Sequence, residues 1–141
     1  MNLLRPNDFA QRVLIAAGAV NLLAVPLFSR LFSNERLNAV DPATMSNFGL
    51  VMIMVWGLLF LALAFNPSNG PLVFGALAIE KLCYVVAWTK TALATDIGAL
   101  LRQDALTGVF YAVYGINDFA FAVLFLILAW RAARPIPPGT A

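Results

Sequence analysis

The sequence predicts an all-α integral membrane protein: a four-helix bundle with a short interfacial helix between the third and fourth spans. Hydrophobic residues make up 62% of the 141 residues and charged residues 11%, against about 25% charged in an average soluble domain. Four apolar segments are long enough to cross a hydrocarbon core of about 30 Å. We expect one domain over residues 1–134 and a flexible tail over residues 135–141, which is rich in proline.

The first span is predicted over residues 9–32. Its apolar centre, Val13–Phe28, is short for a bilayer, so Arg12 and Arg30 are expected to extend to the two membrane surfaces. No small-x-small cleavage pattern follows this centre. We therefore expect an uncleaved helix and not a signal peptide.

The second span is predicted over residues 42–65, and a charged, water-facing loop precedes it at residues 29–41. Asp41 followed by Pro42 is typical of a helix start, with aspartate as the N-cap and proline at the first helical position. Residues 66–71, Asn-Pro-Ser-Asn-Gly-Pro, form a concentrated turn signal. This short turn predicts that the second and third spans are antiparallel neighbours.

The third and fourth spans are predicted over residues 71–90 and 106–130. Between them, residues 91–107 place leucines and isoleucine opposite charged residues at helical spacing, as in a helix lying in the membrane interface. Gly108, Ala112 and Gly115 form a stripe of small residues on the fourth span. Such a stripe allows a close approach of helices, so it is the predicted contact with a membrane protein partner or a second copy of the chain.

Three charged residues interrupt the apolar segments. Glu80 and Lys81 lie in the third span, and Asp118 lies in the fourth. Each such residue costs about 2.5–3.5 kcal/mol on insertion scales, and it usually faces a partner or a cavity. At 1.5 Å per residue, Lys81 and Asp118 lie about 15 Å along their spans and Asn21 about 13 Å along the first. All three depths predict one polar site near the bilayer midplane.

Helical spacing adds aromatic residues to this site. Tyr84 follows Glu80 by four residues, and Tyr111, Tyr114 and Asp118 share one face of the fourth span. The candidate ligand-binding residues are Asn21, Glu80, Lys81, Tyr84, Tyr111, Tyr114, Asn117 and Asp118. Which of them, if any, are catalytic stays open.

Several classes of function are disfavoured by composition. Histidine is absent and Cys83 is the single cysteine, so we expect no metal site and no disulfide. The basic residues are scattered singly, so no nucleic-acid partner is predicted. The sequence identifies no cofactor.

The charged residues allow a purely structural role. An ion pair between Lys81 and Asp118, with Asn21 and Tyr111 completing hydrogen bonds, would fix the register of the helices. Glu80 is difficult to explain this way, because two carboxylates and one ammonium leave a net charge of −1 in a low-dielectric interior. Either one carboxylate is protonated, or a cavity admits water or a cationic ligand.

The polar residues also carry a resemblance. With Asn21 in the first span, Ala78-Ile79-Glu80-Lys81 in the third and Asn117-Asp118 in the fourth, the chain resembles a widespread group of small four-span bacterial membrane proteins. The resemblance covers roughly residues 13–130 and implies a bacterial inner membrane, but no activity. A glycine tends to precede the lysine in that group, and Glu80 departs from this pattern.

Three functions are compatible with the sequence. The first is a midplane site that binds, or also transforms, a lipophilic small molecule such as an isoprenoid, quinone, sterol or fatty acyl compound. The second is an accessory or assembly subunit of a larger membrane complex, and the third is ion or proton movement. The basic residues that flank the first and fourth spans favour cytoplasmic termini.

Overall fold

A computed structural model describes residues 8–66 and 68–134, and in these ranges the chain is helical without any β-strand. The helices are α1 (Asp8–Phe28), α2 (Glu35–Val40), α3 (Asn47–Ala64), α4 (Pro71–Ala94), α5 (Ile97–Gln103) and α6 (Ala105–Ala132). Helices α1, α3, α4 and α6 are long and apolar enough to cross a membrane. The all-α class and the four candidate spans are therefore confirmed. The flexible tail predicted at 135–141 lies outside the described residues.

Helix α1 ends four residues before the predicted end at residue 32. The Leu31 amide donates to the Pro26 carbonyl and the Arg30 amide donates to Leu27, the two bonds of a Schellman motif. Arg30 occupies the position where glycine is usual, with φ of 50°, and Leu31 and Phe32 follow at 55° and 67°. Each left-handed non-glycine residue costs about 1–2 kcal/mol, so this turn is strained.

Helix α3 begins at Asn47, not at the predicted Pro42. Asp41 does cap a turn, because its Oδ1 accepts from the Thr44 amide, but that turn does not continue into the span. The N-cap of α3 is Ser46, whose hydroxyl accepts from the Gly49 amide. The preceding segment, predicted as a charged, water-facing loop, also contains α2, and Asn34 caps this helix.

Helix α4 begins at the predicted Pro71 and continues to Ala94, four residues beyond the predicted end. A short helix does lie between the third and fourth spans, and its boundaries are set by two aspartates. The Asp96 side chain caps α5 and the Asp104 side chain caps α6. The position of α5 in the membrane interface stays a prediction.

The long helices pack as two pairs, α1 with α3 and α4 with α6. In the first pair, Gly18 and Gly57 bring the backbones together: a Cβ atom on Gly57 would lie 2.9 Å from Asn21 Cβ and 3.2 Å from the Gly18 carbonyl oxygen. Helices α3 and α4, although joined by a short turn, are not a closely packed pair. The two spans are neighbours, as predicted, because they face each other across a groove, but their closest packing is with α1 and α6, and a seam lies between the pairs.

The small-residue stripe of α6 packs inside the chain. A Cβ atom on Gly115 would overlap the Trp88 indole of α4, and one on Gly108 would lie 2.6 Å from Leu101 Cα. Trp88 Nε1 donates to the Tyr111 carbonyl at 2.7 Å, which holds the indole against α6. The burial of both glycines argues against the predicted contact of this stripe with another subunit.

At one end of the bundle, residues 29–46 and 95–104 meet; we call these two loops the loop cap. Asn34 is 1% exposed, and it donates to the Phe28 carbonyl and to Thr107 Oγ1 at 2.9 Å each. Arg30 forms an ion pair with Asp104 at 3.0 Å. Partial desolvation raises the pKa of Asp104, but hydrogen bonds from Thr107 and Arg30 outweigh it and hold the pKa below its ordinary value.

Candidate functional site

Lys81 lies near the middle of α4 and is the centre of the candidate site. Its side chain is completely enclosed, with 1% of the residue exposed. The ammonium donates to Asp118 Oδ1 of α6 at 3.1 Å and to Asn21 Oδ1 of α1 at 3.3 Å. Three helices from both packed pairs therefore meet at one ammonium, as the predicted depths indicated.

Asn21 connects this ammonium to the remaining long helix. Its amide nitrogen donates to the Ile53 carbonyl of α3 at 3.0 Å, which fixes the side-chain oxygen towards Lys81. Gly57, one turn after Ile53, supplies the space for this contact, because a Cβ there would press on the Asn21 side chain. The close approach of α1 and α3 thus positions one ligand of the lysine.

Asp118 is held from two sides through a single oxygen. Asn117 Nδ2 donates to Asp118 Oδ1 at 3.2 Å, and Lys81 donates to the same atom. Within the described part of the chain, Oδ2 therefore remains available as an acceptor. The ion pair is almost fully buried, since Asp118 is 7% exposed.

Glu80 has a different environment from Asp118. Its Oε1 lies 3.8 Å from Lys81 Nζ, within ion-pair distance. Both carboxylate oxygens are buried, yet neither accepts a hydrogen bond from the residues described. The group of Glu80, Lys81 and Asp118 carries two carboxylates and one ammonium, which leaves an excess of one negative charge when all three are ionised.

Aromatic rings complete the surroundings of the ammonium. Lys81 Nζ lies 5.3 Å from the centroid of Phe60 and 6.0 Å from that of Tyr84. A cation within about 6 Å of a ring face is attracted by the ring quadrupole. Tyr84 was predicted from the sequence but Phe60 was not, because the second span contains no charged residue that would indicate which of its faces lies at the site.

Two openings flank this cluster, one in each seam between the helix pairs. The first is a cavity of about 150 Å³ between α1 and α6, which we call the α1/α6 cavity. Asn21, Tyr84, Tyr114, Asn117 and Asp118 line its polar part. The second is a wider groove of about 480 Å³ between α3 and α4, the α3/α4 groove, which Glu80 and Tyr84 line. The predicted single site is thus divided between two openings.

The two tyrosines of α6 have different roles. The Tyr114 hydroxyl is buried without a hydrogen-bond partner in the described structure, and Tyr114 lines the α1/α6 cavity. The Tyr111 hydroxyl donates to the Leu37 carbonyl of the loop cap at 2.8 Å. The predicted hydrogen bond of Tyr111 to the charged cluster is therefore wrong; a carbonyl in the unpredicted helix α2 takes that bond instead.

The chemistry available at this site is that of carboxylates, an ammonium, amides and a phenol. Among the described residues, no group of three histidine, cysteine, aspartate or glutamate side chains lies close enough together to hold a metal ion. The carboxylates lie on either side of Lys81 and face different openings. The arrangement places hydrogen-bonding groups at both openings.

No family model, curated protein or solved structure matches the chain. The resemblance to small four-span bacterial membrane proteins therefore stays a prediction.

Proposed function

We propose that this is an integral membrane protein that binds a lipophilic molecule carrying a hydroxyl group in the α1/α6 cavity. The observation that carries the proposal is the Tyr114 hydroxyl, which is buried at the cavity without a partner in the described chain. An unpaired buried polar group costs about 1–3 kcal/mol. A ligand that pairs with it would remove that cost.

A hydroxyl group matches the two polar positions that the cavity offers. Tyr114 and Asp118 are four residues apart on α6 and therefore lie on one face. A ligand hydroxyl would donate to Asp118 Oδ2 and accept from the Tyr114 hydroxyl. Lys81 and Asn117 support this geometry by holding Oδ1 of the same carboxylate.

The rest of the cavity is suited to an apolar body. Val25, Phe28, Met45, Ile53 and Phe110 are among its lining residues, and ligand sites are typically apolar with a few placed polar groups. The volume of about 150 Å³ is similar to that of an engineered apolar cavity that holds one benzene molecule. A compact ring fits this space, and a longer tail would leave between α1 and α6.

Binding in nanodiscs of three molecules with the same skeleton tests this proposal. Menthol carries a hydroxyl, menthone carries a ketone that cannot donate, and menthane carries neither. After subtraction of partitioning into empty nanodiscs, menthol should bind tightest and menthane weakest. Tyr114→Phe should weaken menthol binding about three- to tenfold, the value of one neutral hydrogen bond, and leave menthane unchanged.

Tyr111→Phe is the matched control, because it removes a hydroxyl one turn away that points to the loop cap. It should lower stability without changing the affinity for menthol. Equal affinities for the three molecules, or a menthol affinity that Tyr114→Phe does not alter, would contradict the proposal.

The other two functions have less support from the geometry. The glycines expected at a contact with a partner subunit are buried against Trp88 and Leu101, so an accessory role would need another surface. Ion or proton movement is not tested by the contacts around Lys81. We place the protein in a bacterial inner membrane with cytoplasmic termini, on the resemblance and on the arginines that flank the first and last spans.

A further inference from the structure

We propose that the α3/α4 groove is a second binding site, and that it takes a lipophilic amine in its protonated form, with Glu80 as the anionic partner. Tyr84 lines both openings, but this inference does not rest on the proposed hydroxyl site, because it concerns the other seam of the bundle and a different carboxylate.

Glu80 is the first reason. It is 93% buried and both of its oxygens lack a hydrogen-bond donor in the described chain. Lys81 lies within ion-pair distance of Glu80, with Nζ 3.8 Å from Oε1, but it forms no hydrogen bond with this carboxylate; its two hydrogen bonds go to Asn21 and Asp118. A buried carboxylate needs donors to offset its desolvation. An ammonium group supplies both the donors and the missing positive charge.

The shape of the groove is the second reason. Its α3 wall is Phe48, Met52 and Trp56, spaced four residues apart on one helix face, and its α4 wall contains Glu80, Tyr84 and Ala87. From Phe48 to Trp56 the groove runs about 12 Å along α3 at 1.5 Å per residue. It therefore leads from the end of the helix, next to the loop cap, to the carboxylate near the middle of the bundle.

The chemistry of these walls is the third reason. Of the described residues that line the groove, Glu80 alone is a carboxylate or a cation, and the walls beside it carry the rings of Trp56 and Tyr84. Tryptophan is the most favourable ring for a cation, followed by tyrosine. A groove that combines a carboxylate with two such rings favours an organic cation over an uncharged chain of the same length.

Decylamine and decane are the probes that separate charge from apolar contact, because decane has the same chain without a group that could bind the hydroxyl site. Each is titrated into nanodiscs that contain the intact protein, with empty nanodiscs as the reference. Decylamine should bind the wild type at least about tenfold more tightly than decane, as expected for a charge-assisted pair. Glu80→Gln should remove that preference while decane binding stays unchanged.

Two further variants locate the amine. Ala87→Leu fills the groove from its α4 wall without altering any charge or adding a ring, and it should weaken decylamine binding at least about tenfold even if Glu80→Gln is poorly folded. Tyr114→Phe changes the α1/α6 cavity and should leave decylamine binding unchanged. The proposal is overturned if Glu80→Gln retains the wild-type preference, as a protonated glutamate would predict. It is equally overturned if Tyr114→Phe, and not Ala87→Leu, weakens decylamine binding.

Discussion

Replacement of Lys81 by methionine should lower the free energy of unfolding by an amount that distinguishes a buried ion pair from an ordinary polar contact. Methionine keeps the length and the apolar stem of lysine but removes the ammonium. The variant therefore loses the 3.1 Å contact with Asp118 and the 3.3 Å contact with Asn21. It also leaves Asp118 and Glu80 as two buried carboxylates without a counter-charge.

The expected loss of stability follows from this burial. Lys81 is 1% exposed and Asp118 is 7% exposed, so solvent screens the pair very little. Removing one partner of a buried pair costs about 3–5 kcal/mol. Neutral hydrogen bonds between membrane helices average about 0.6 kcal/mol, with a maximum near 1.7. A loss well above 2 kcal/mol therefore identifies the ion pair.

Reversible unfolding in mixed micelles measures this loss of stability. The fraction of dodecyl sulfate is increased stepwise, and far-ultraviolet circular dichroism follows the loss of helix. Lys90→Met is the control, since Lys90 lies on the same helix but is exposed; it should change stability by less than about 0.5 kcal/mol. The double variant Lys81→Met/Asp118→Asn should cost less than the sum of its single variants by about 1–3 kcal/mol. Additive losses, or a loss below about 1.7 kcal/mol for Lys81→Met, would refute the buried ion pair.

Further outcomes follow from single contacts. Tyr111→Phe should lower the free energy of unfolding by about 1–3 kcal/mol because it leaves a buried carbonyl unpaired. Tyr114→Phe removes a buried hydroxyl that has no partner in the described chain, so it should raise that energy by up to about 1–3 kcal/mol; a loss as large as that of Tyr111→Phe would contradict the separate roles of the two tyrosines. Gly57→Ala should destabilise by about 1–3 kcal/mol through overpacking, whereas Gly75→Ala, whose Cβ would meet nothing within 4 Å, should stabilise slightly. At neutral pH, Asp104→Asn should be less stable than the wild type. The pKa of this carboxyl lies below its ordinary 3.8, so the difference in stability between the two proteins should disappear as the pH is lowered through that pKa. A difference that stays constant down to the lowest pH would contradict the assignment.

The spans and the centre of the site were predictable because they rest on local signals. Hydrophobic length gave four spans, and Pro71 marked the start of α4. Charged and strongly polar side chains in apolar segments are costly. Lys81, Asp118 and Asn21 were therefore expected to contact polar partners and not lipid. Equal depth along three spans then predicted the cluster that the structure contains.

The pairing of helices was not predictable from the same signals. Spans joined by a short turn were expected to pack together, but α3 packs on α1 through Gly18 and Gly57. Close packing depends on which small residues of two helices face each other across the bundle. The hydrophobic periodicity of a single sequence does not specify these pairs of residues. The prediction of a single seam failed for the same reason, since two pairs create two openings.

The loop cap was missed because its signals are weak in sequence. Ser29, Asn34 and Thr107 are ordinary polar residues near helix ends, yet all three are buried. The left-handed turn at Arg30 lacks the glycine that usually marks such a position. The Tyr111 hydroxyl donates to the Leu37 carbonyl of this loop cap and not to the charged cluster.

The meeting of Lys81 and Asp118 inside the bilayer is the claim on which both proposed sites depend, and solid-state NMR in lipid measures it directly. The chain has two lysines, so Lys90→Arg leaves Lys81 as the single ¹⁵Nζ label, to be paired with ¹³Cγ-labelled aspartate. The 3.1 Å contact predicts strong dipolar dephasing from a carboxyl carbon about 4 Å away. If the Lys81 nitrogen shows no dephasing from any aspartate carboxyl carbon, the ion pair does not form and the site described here is wrong.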